Sequence, residues 1–244
     1  MCYNVAYLEK RGDKYAERYK DAFPEGYVPP EGLQTELPMY YFVSGFSYPE
    51  LPIVKHDGIF LYNWGLIPAW CKDTKQANEM GSFTLNAVGD TVFDKPSFNH
   101  AIKKQRCLLG VNGFYEWRDV AKVKYPYFIK SSQHEIFSLG CIYEHWVDKE
   151  TGEVSNTFSI VTTAANPMME KIHNLKKRMP LIIEKENEKD WINQELSTDE
   201  IKTLIKPYPQ ENMSAYTVSK MVNSAKNYRN VPEALEKVEY AELD

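Results

Sequence analysis

The sequence predicts an α+β fold that forms a single domain over residues 1–244. With 43% hydrophobic and 26% charged residues, the chain has the composition of a globular protein with a sizeable core. Its 17 tyrosines and 11 phenylalanines favour β-structure, because aromatic side chains fit a pleated, half-buried surface. Helical segments interrupt the strands at irregular intervals, which argues against a regular βαβ repeat and an up-and-down barrel.

The first half of the chain opens with an apolar, strand-like run and alternates between helical and extended segments. Ser97 is a candidate N-cap of the second helix. Gly110 and Gly113 interrupt the last strand, and glycine inside a strand often marks a bulge or a close backbone approach. In order, we expect a helix at 12–20, a loop with prolines and glycines at 23–38, strands at 39–46 and 58–68, a helix at 95–106 and a strand at 107–117.

The second half of the chain contains further strands and two short helices. Pro167 suits the first position of a helix that follows Asn166. The stretch from Ser197 to Glu200 matches a capping box that opens another helix. In order, we expect strands at 125–131, 136–148 and 156–165, a hairpin loop between the last two, a helix at 166–173, a strand at 179–184 and a helix after 200.

The cysteines, the charge and the hydropathy of the chain indicate its cellular compartment and exclude some classes of partner. The four cysteines are scattered and include no Cys-x-x-Cys pair, so we expect no disulfide framework, no structural zinc site and a reducing cytoplasm. No apolar run approaches the length of a membrane span, and no signal-peptide pattern is present. A net charge of −5 argues against a protein that coats polyanions with its whole surface. We expect no cofactor, no membrane contact and no obligate protein partner.

Two basic clusters and two tryptophans are candidates for contact with nucleic acid. Each basic cluster is also explained by a solvated face, and each tryptophan by the protein core. An exposed tryptophan would instead stack on a base. The candidate DNA-binding residues are Lys103, Lys104, Arg106, Lys176, Lys177, Arg178, Trp64 and Trp70.

Cys2 stands directly behind Met1, so removal of Met1 would leave Cys2 with a free α-amine beside its thiol. Such an amine condenses with an aldehyde, and the thiol then closes a five-membered thiazolidine ring. The alternative is a small buried residue that opens a strand, which is the usual role of a free cysteine. A reactive cysteine needs a supporting environment, which other parts of the chain have to provide.

Three polar residues are candidates to provide that environment. Glu116 lies between two aromatic residues in a strand, where it either points to solvent or is a buried carboxyl group with a raised pKa. His173 precedes a basic run, and histidine exchanges protons near neutral pH. Asn86 precedes small residues and is either a turn residue or an amide that orients a neighbouring group.

These residues lie in short motifs whose order resembles the SOS-response-associated peptidase (SRAP) family over nearly the whole chain. Each motif is short, but the ordered set is specific. The motifs are Cys2 behind Met1, "WG…P.W" at 64–70, "NA" at 86–87, "GFYEW" at 113–117, "IH…RMPLII" at 172–183 and "VSKMVNSAKN" at 218–227.

The resemblance implies a fold, a reaction and a set of residue roles. The implied fold is a mixed, strongly bent β-sheet or partial barrel with helices packed around it. Members of the family react with abasic sites in single-stranded DNA through a thiazolidine on the amino-terminal cysteine, and an initial Schiff base also permits a strand-cleaving lyase reaction. Here Cys2 would be the nucleophile, Asn86 would position it, and Glu116 and His173 would transfer protons, without a metal.

The chain departs from the pattern of the family at three positions. Tyr3 and Asn4 replace the usual Gly-Arg after the cysteine, and Val88 replaces the arginine after "NA". Two expected contacts to phosphates or bases are therefore missing, and the basic clusters would have to replace them. Two other functions stay open: a cysteine peptidase or amidohydrolase with Cys2 as its nucleophile, and a non-covalent binder of single-stranded DNA.

Overall fold

The structure, a computed structural model, describes residues 2–24 and 36–243 and has the expected α+β architecture. Most of the predicted loop at 23–38 lies outside the described residues. The helices are α1 (Gly12–Arg18), α2 (Thr74–Phe83), α3 (Ala101–Lys104), α4 (Pro167–Ile172), α5 (Glu188–Ile192) and α6 (Thr198–Leu204). The strands are β1 (Asn4–Tyr7), β2 (Tyr40–Ser44), β3 (Glu50–Lys55), β4 (Gly58–Trp64), β5 (Asn86–Val88), β6 (Arg106–Val111), β7 (Gly113–Val120), β8 (Val123–Ser131), β9 (Phe137–Val147), β10 (Val154–Ala164), β11 (Arg178–Pro180), β12 (Ile182–Ile183) and β13 (Met213–Thr217).

The larger of two β-sheets closes on itself. Its order is β11-β10-β4-β3-β6-β9-β12, and β5 pairs with β10. A further pairing between β9 and β10 joins β3, β4, β6, β9 and β10 into a ring. Alternate residues of these strands, such as Ile53, Leu109 and Ile160, fill the interior with apolar side chains. The fold is therefore a partial barrel, as the resemblance implied.

The smaller sheet has the order β13-β8-β7-β1-β2 and is antiparallel throughout its described pairings. Val5 of β1 lies opposite Phe114 of β7, and both side chains belong to the core cluster that also fills the barrel. The two sheets thus share one core. Because β1 lies between β7 and β2, the amino-terminal strand is paired along both of its edges.

The predicted strand at 107–117 is two strands in different sheets, and Asn112 is the residue between them. The Asn112 N–H donates to the carbonyl of Ala6 at 3.0 Å, and its Oδ1 accepts from the N–H of Leu8 at 2.8 Å. These bonds to the end of β1 turn the chain from β6 into β7. The crossing places residues 113–117 in the same sheet as the amino terminus.

Gly113 confirms that glycine here marks a close backbone approach. A Cβ atom at this position would lie 2.7 Å from the carbonyl oxygen of Ile129 and would also overlap the Phe128 ring. We therefore expect Gly113→Ala to lower the free energy of unfolding by about 2 kcal/mol, in the range of overpacked cores. Urea denaturation measures this effect. Gly81→Ala is the matched control, because the nearest atom would lie 3.6 Å away in a helix that favours alanine.

Two helix starts are confirmed and one predicted helix is largely wrong. The Asn166 side chain accepts from the N–H of Met169 at the start of α4, and Ser197 opens α6 with a capping box. The helix predicted at 95–106 contains only the four residues of α3, and residues 96–100 form turns. Ser97 lies in these turns and caps no helix, because α3 begins only after His100.

The predicted strand at 179–184 is divided between β11 and β12, which pair with β10 and β9 respectively. The hairpin between β9 and β10 is confirmed, with Gly152 in the left-handed region at a φ of 75°. All four cysteines are free and buried. Among the described residues, no helix is both long and apolar enough to cross a membrane.

Candidate active site around Cys2

Cys2 lies immediately before β1 in the core cluster between the two sheets, and its side chain is buried. Its Sγ atom is 3.9 Å from the carbonyl oxygen of Asn4. Burial, and then the negative charge of Glu116, raise the pKa of the thiol. In the chain that retains Met1, the thiol is therefore protonated at neutral pH and closed to solvent.

Glu116 lies on the inner face of β7 and is only 4% exposed, so the interpretation that it points to solvent is wrong. Tyr115 and Trp117 alternate to the opposite face, where they pack in a separate cluster. Continuing the β1–β7 register places Tyr3 opposite Glu116. Burial raises the pKa of Glu116 to about 7, although the positive charge of the amino terminus lowers it in part. The carboxyl group thus exchanges protons near neutral pH.

His173 ends the α4 segment, which is anchored directly on β7. The side chain of the next residue, Asn174, accepts from the N–H of Asp119 at 3.1 Å and donates to its carbonyl at 2.7 Å. The His173 Nδ1 atom lies 2.7 Å from the carbonyl oxygen of Arg178, so Nδ1 carries the proton that is donated there. Burial, and then the charge of the amino terminus, lower the pKa of His173. The imidazole is therefore largely neutral at pH 7.

Asn86 comes from the larger sheet, where β5 runs parallel to β10 and Asn86 pairs with Ile160. Ile160 belongs to the same core cluster as Cys2. Within the described part of the chain, the Nδ2 and Oδ1 atoms of Asn86 are both buried without a hydrogen-bond partner. A buried amide without partners costs on the order of 1–3 kcal/mol, and such residues are candidates for ligand contacts. Asn86 is a strand residue, so its interpretation as a turn residue is wrong.

The charge of the amino terminus connects three of the predicted residues. It affects the pKa values of Cys2, Glu116 and His173, which come from the start of β1, from β7 and from the end of α4. The smaller sheet and one helix thus supply polar groups to the same region of the core. A carboxyl group that titrates near neutral pH beside Cys2 is equipped for proton transfer.

Trp64 and Arg106 are corrections to the predicted DNA-binding residues. Trp64 is fully buried, and its Nε1 donates to the carbonyl of Leu85 at 2.8 Å. The buried guanidinium of Arg106 donates to the carbonyls of Trp191 and Ile102, each at 2.8 Å. Both side chains are parts of the core, so neither offers a surface to DNA.

The other candidates differ in how their side chains are engaged. Trp70 is 46% exposed, and its Nε1 donates to the carbonyl of Pro96. The guanidinium of Arg178 pairs with Asp90 and donates to the carbonyl of Thr162, so this side chain ties the β5 and β11 ends to β10. Four exposed lysines stay predictions for contact with DNA: Lys103, Lys104, Lys176 and Lys177.

Two residues near the site were missed by the sequence analysis. Asn174 anchors the end of α4, but its partner Asp119 is distant in sequence, so no local pattern could reveal it. Tyr3 was noted only as a departure from the family. Its ring lies 4.9 Å from that of Phe46, which links the site to a surface turn after β2.

Comparisons with known proteins show which proteins this chain is similar to. Abasic site processing protein YoqW of Bacillus subtilis (strain 168) is 41% identical over 175 residues, covering 71% of this chain and 74% of that protein. Abasic site processing protein HMCES of Pongo abelii is 26% identical over 263 residues, covering 96% of this chain and 72% of that protein. A crystal structure of a protein from Bacteroides thetaiotaomicron matches with a TM-score of 0.86 and 38% identity, covering 98% of this chain and 100% of that one.

The family model for SOS response associated peptidases matches residues 15–225, which is most of the chain. A structure from Bordetella bronchiseptica, at 18% identity and a TM-score of 0.70, shows the same fold. The predicted motifs, the partial barrel and the matched relatives therefore lead to one conclusion. The chain belongs to the SOS-response-associated peptidase (SRAP) family.

Proposed function

We propose that this protein captures abasic sites in single-stranded DNA as a covalent adduct on Cys2. The relatives named above are abasic site processing proteins. The observation that supports the proposal for this chain is the placement of Glu116 beside Cys2, where its charge acts on the thiol, in the same core cluster that α4 packs into just before His173. An abasic site supplies the matching reactant, because its ring-opened sugar is an aldehyde.

The first step is attack of the Cys2 α-amine on the aldehyde carbon. An unperturbed α-amine has a pKa of about 7.7–8.0, so most copies are protonated at neutral pH. Glu116, with its pKa of about 7, takes the amine proton. A carbon–nitrogen bond forms, the carbonyl oxygen gains a proton, and loss of water gives a Schiff base.

The second step closes the ring. The thiol sulfur of Cys2 adds to the carbon of the Schiff base, and the thiol proton passes to nitrogen, so that a thiazolidine results. In the first step His173, which is neutral at pH 7, accepts a proton at Nε2 and passes it to the carbinol oxygen that leaves as water. The partnerless amide of Asn86 holds a sugar oxygen. Elimination from the Schiff base gives the accompanying lyase reaction, in which the bond to the 3′ phosphate breaks.

Access to Cys2 requires removal of Met1. An amide-linked Cys2 has no basic amine, and its thiol is buried in the chain that retains Met1. Loss of the first residue frees the α-amine of Cys2. The proposed active form therefore begins at Cys2, and the four free cysteines suit a reducing cytoplasm.

The raised pKa of Cys2 also bears on the alternative functions. A cysteine peptidase or amidohydrolase attacks with a thiolate, which needs a lowered thiol pKa. In the proposed reaction the amine attacks first, and the thiol then adds to the carbon of the Schiff base, which is already activated. The second alternative, passive binding of single-stranded DNA, has less support after Trp64 and Arg106 are assigned to the core.

A direct test mixes the purified protein with single strands that are identical except for one abasic site. We expect a heat-stable product on a denaturing gel with the abasic strand alone. The intact mass of this adduct should equal the mass of the strand plus that of the protein without Met1, less one water. An equal lack of product on both strands would show that the proposed function is wrong.

A further inference from the structure

A groove opens beside the amino-terminal strand and is separate from the buried region around Cys2. It has a volume of about 430 Å³ and lies between the end of β2 with the turn that follows it and the segment 225–230. We call it the aromatic groove. Phe46 comes from the turn after β2 and Tyr228 from the segment 225–230, and they are 61% and 75% exposed.

The exposure of these two rings is unusual because both belong to one groove. A singly exposed apolar residue is normal on a protein surface and needs no explanation. Two large exposed aromatic rings that line one groove instead offer apolar area to a molecule that enters it. Neither ring is needed to fill the core, since each leaves more than half of its surface in solvent.

Tyr3 connects the aromatic groove to the candidate active site. Its ring contacts Phe46, with centroids 4.9 Å apart, and its carbonyl accepts from the N–H of Gly45 at 2.8 Å. Tyr3 is also the neighbour of Cys2, and burial, and then the charge of Glu116, raise the pKa of its hydroxyl. The aromatic groove is therefore joined through Tyr3 to the residue next to Cys2.

The charge of the aromatic groove suits a nucleic acid. Arg229 is the charged residue among the described residues that line it, and its guanidinium carbon lies 4.4 Å above the Phe42 ring. Such stacking on an aromatic face holds the guanidinium in place while it remains free to contact a phosphate. The amides of Asn227 and Asn230 add polar groups without adding negative charge.

We propose that the aromatic groove binds a nucleobase next to the abasic sugar, by stacking it against Phe46 and Tyr228 while Arg229 contacts the adjoining phosphate. This inference rests on the proposed function, because it assumes that DNA is the molecule captured at Cys2. It also accounts for the chain's departures from the family pattern. Stacking and Arg229 supply contacts to the strand in place of the arginines that the family usually has at the positions of Asn4 and Val88.

The test measures binding by fluorescence anisotropy with strands that carry a tetrahydrofuran analogue of the abasic site, which has no aldehyde. We expect Phe46→Leu and Tyr228→Ala each to weaken binding about tenfold, within the range of base–aromatic stacking. Leucine keeps an apolar contact with Tyr3 but has no aromatic face. Phe83→Ala is the matched control, because Phe83 is 79% exposed at the end of α2 and is not among the residues that line the aromatic groove; binding should be unchanged.

A second set of strands lacks the base on either the 5′ or the 3′ side of the analogue. One of the two should bind the unaltered protein about tenfold more weakly, and Phe46→Leu should cause no further loss on that strand. Unchanged binding by both groove variants, or an equal loss on every strand, would overturn the proposal. Because the analogue cannot react, these outcomes are independent of whether the covalent adduct forms, so a failure of the proposed function is recognised separately.

Discussion

Cys2→Ala should abolish the heat-stable adduct with abasic DNA, reducing its yield at least 100-fold, to below about 1% of that of the unaltered protein. The variant keeps a free α-amine after loss of Met1, because alanine is as small as cysteine at the second position. It still forms a Schiff base but has no thiol to close the ring. The Schiff base returns to aldehyde and amine on heating, whereas the thiazolidine survives.

Borohydride separates these two steps. Reduction of the Schiff base gives a stable amine, so borohydride should restore a product with Cys2→Ala on abasic strands. Cys71→Ala is the matched control, because Cys71 is also buried but packs in a different cluster with Ala77 and Trp146. It should give the full yield without borohydride. A heat-stable adduct with Cys2→Ala, or its loss with Cys71→Ala, would contradict the assignment of the thiol.

The residues that surround the amino terminus could be predicted from the sequence because they lie in motifs with an unusual local composition. A carboxyl group between Tyr115 and Trp117 is conspicuous in any strand, and so is a histidine before a run of basic residues. Their common location could not be derived from spacing. It depends on the turn at Asn112, which moves β7 beside β1, and on the bonds between Asn174 and Asp119.

The wrong predictions of DNA-binding residues arose because residue type alone does not determine whether a side chain is buried. Arg106 looks like a member of a basic cluster with two exposed lysines, yet it is the first residue of β6 and faces α5. Trp64 and Trp70 lie in one motif, but only the former alternates into the barrel. The closing of the barrel by β9 and β10 also rests on pairings between distant strands, which hydrophobic patterns do not specify.

Glu116→Gln should slow adduct formation at pH 7.5 by about 100-fold, which is the lower end of what a general base contributes. Glutamine has the same shape but accepts no proton from the amine. The unaltered protein should also react faster as the pH rises through about 7, where Glu116 loses its proton. The variant should lose this inflection, which single-turnover rates between pH 5.5 and 8.5 would reveal. A rate within threefold of the unaltered protein would exclude Glu116 as the base.

The same substitution should increase stability, because the folded protein holds Glu116 in an unfavourable environment. Its pKa rises from 4.5 to about 7 on folding, so the protonated form is favoured by the fold. Its contribution to the free energy of unfolding is therefore present below pH 4.5 and is lost as the pH rises through about 7. At pH 8, Glu116→Gln should be more stable than the unaltered protein by as much as about 3 kcal/mol, at about 1.4 kcal/mol per pH unit.

Glu188→Gln is the control for the stability of Glu116→Gln, since Glu188 is an equally buried carboxylate with a different partner. Glu188 pairs with Arg18 at 2.7 Å and accepts from the hydroxyl of Ser138. Removing its charge leaves a partly buried guanidinium without its counter-ion, so this variant should lose about 3 kcal/mol. Urea denaturation at pH 5 and pH 8 compares the two variants. If Glu116→Gln is also less stable than the unaltered protein at pH 8, the carboxylate is a structural group held by its surroundings. If it is more stable and inactive, position 116 of this chain holds a charge that the fold opposes and the reaction needs.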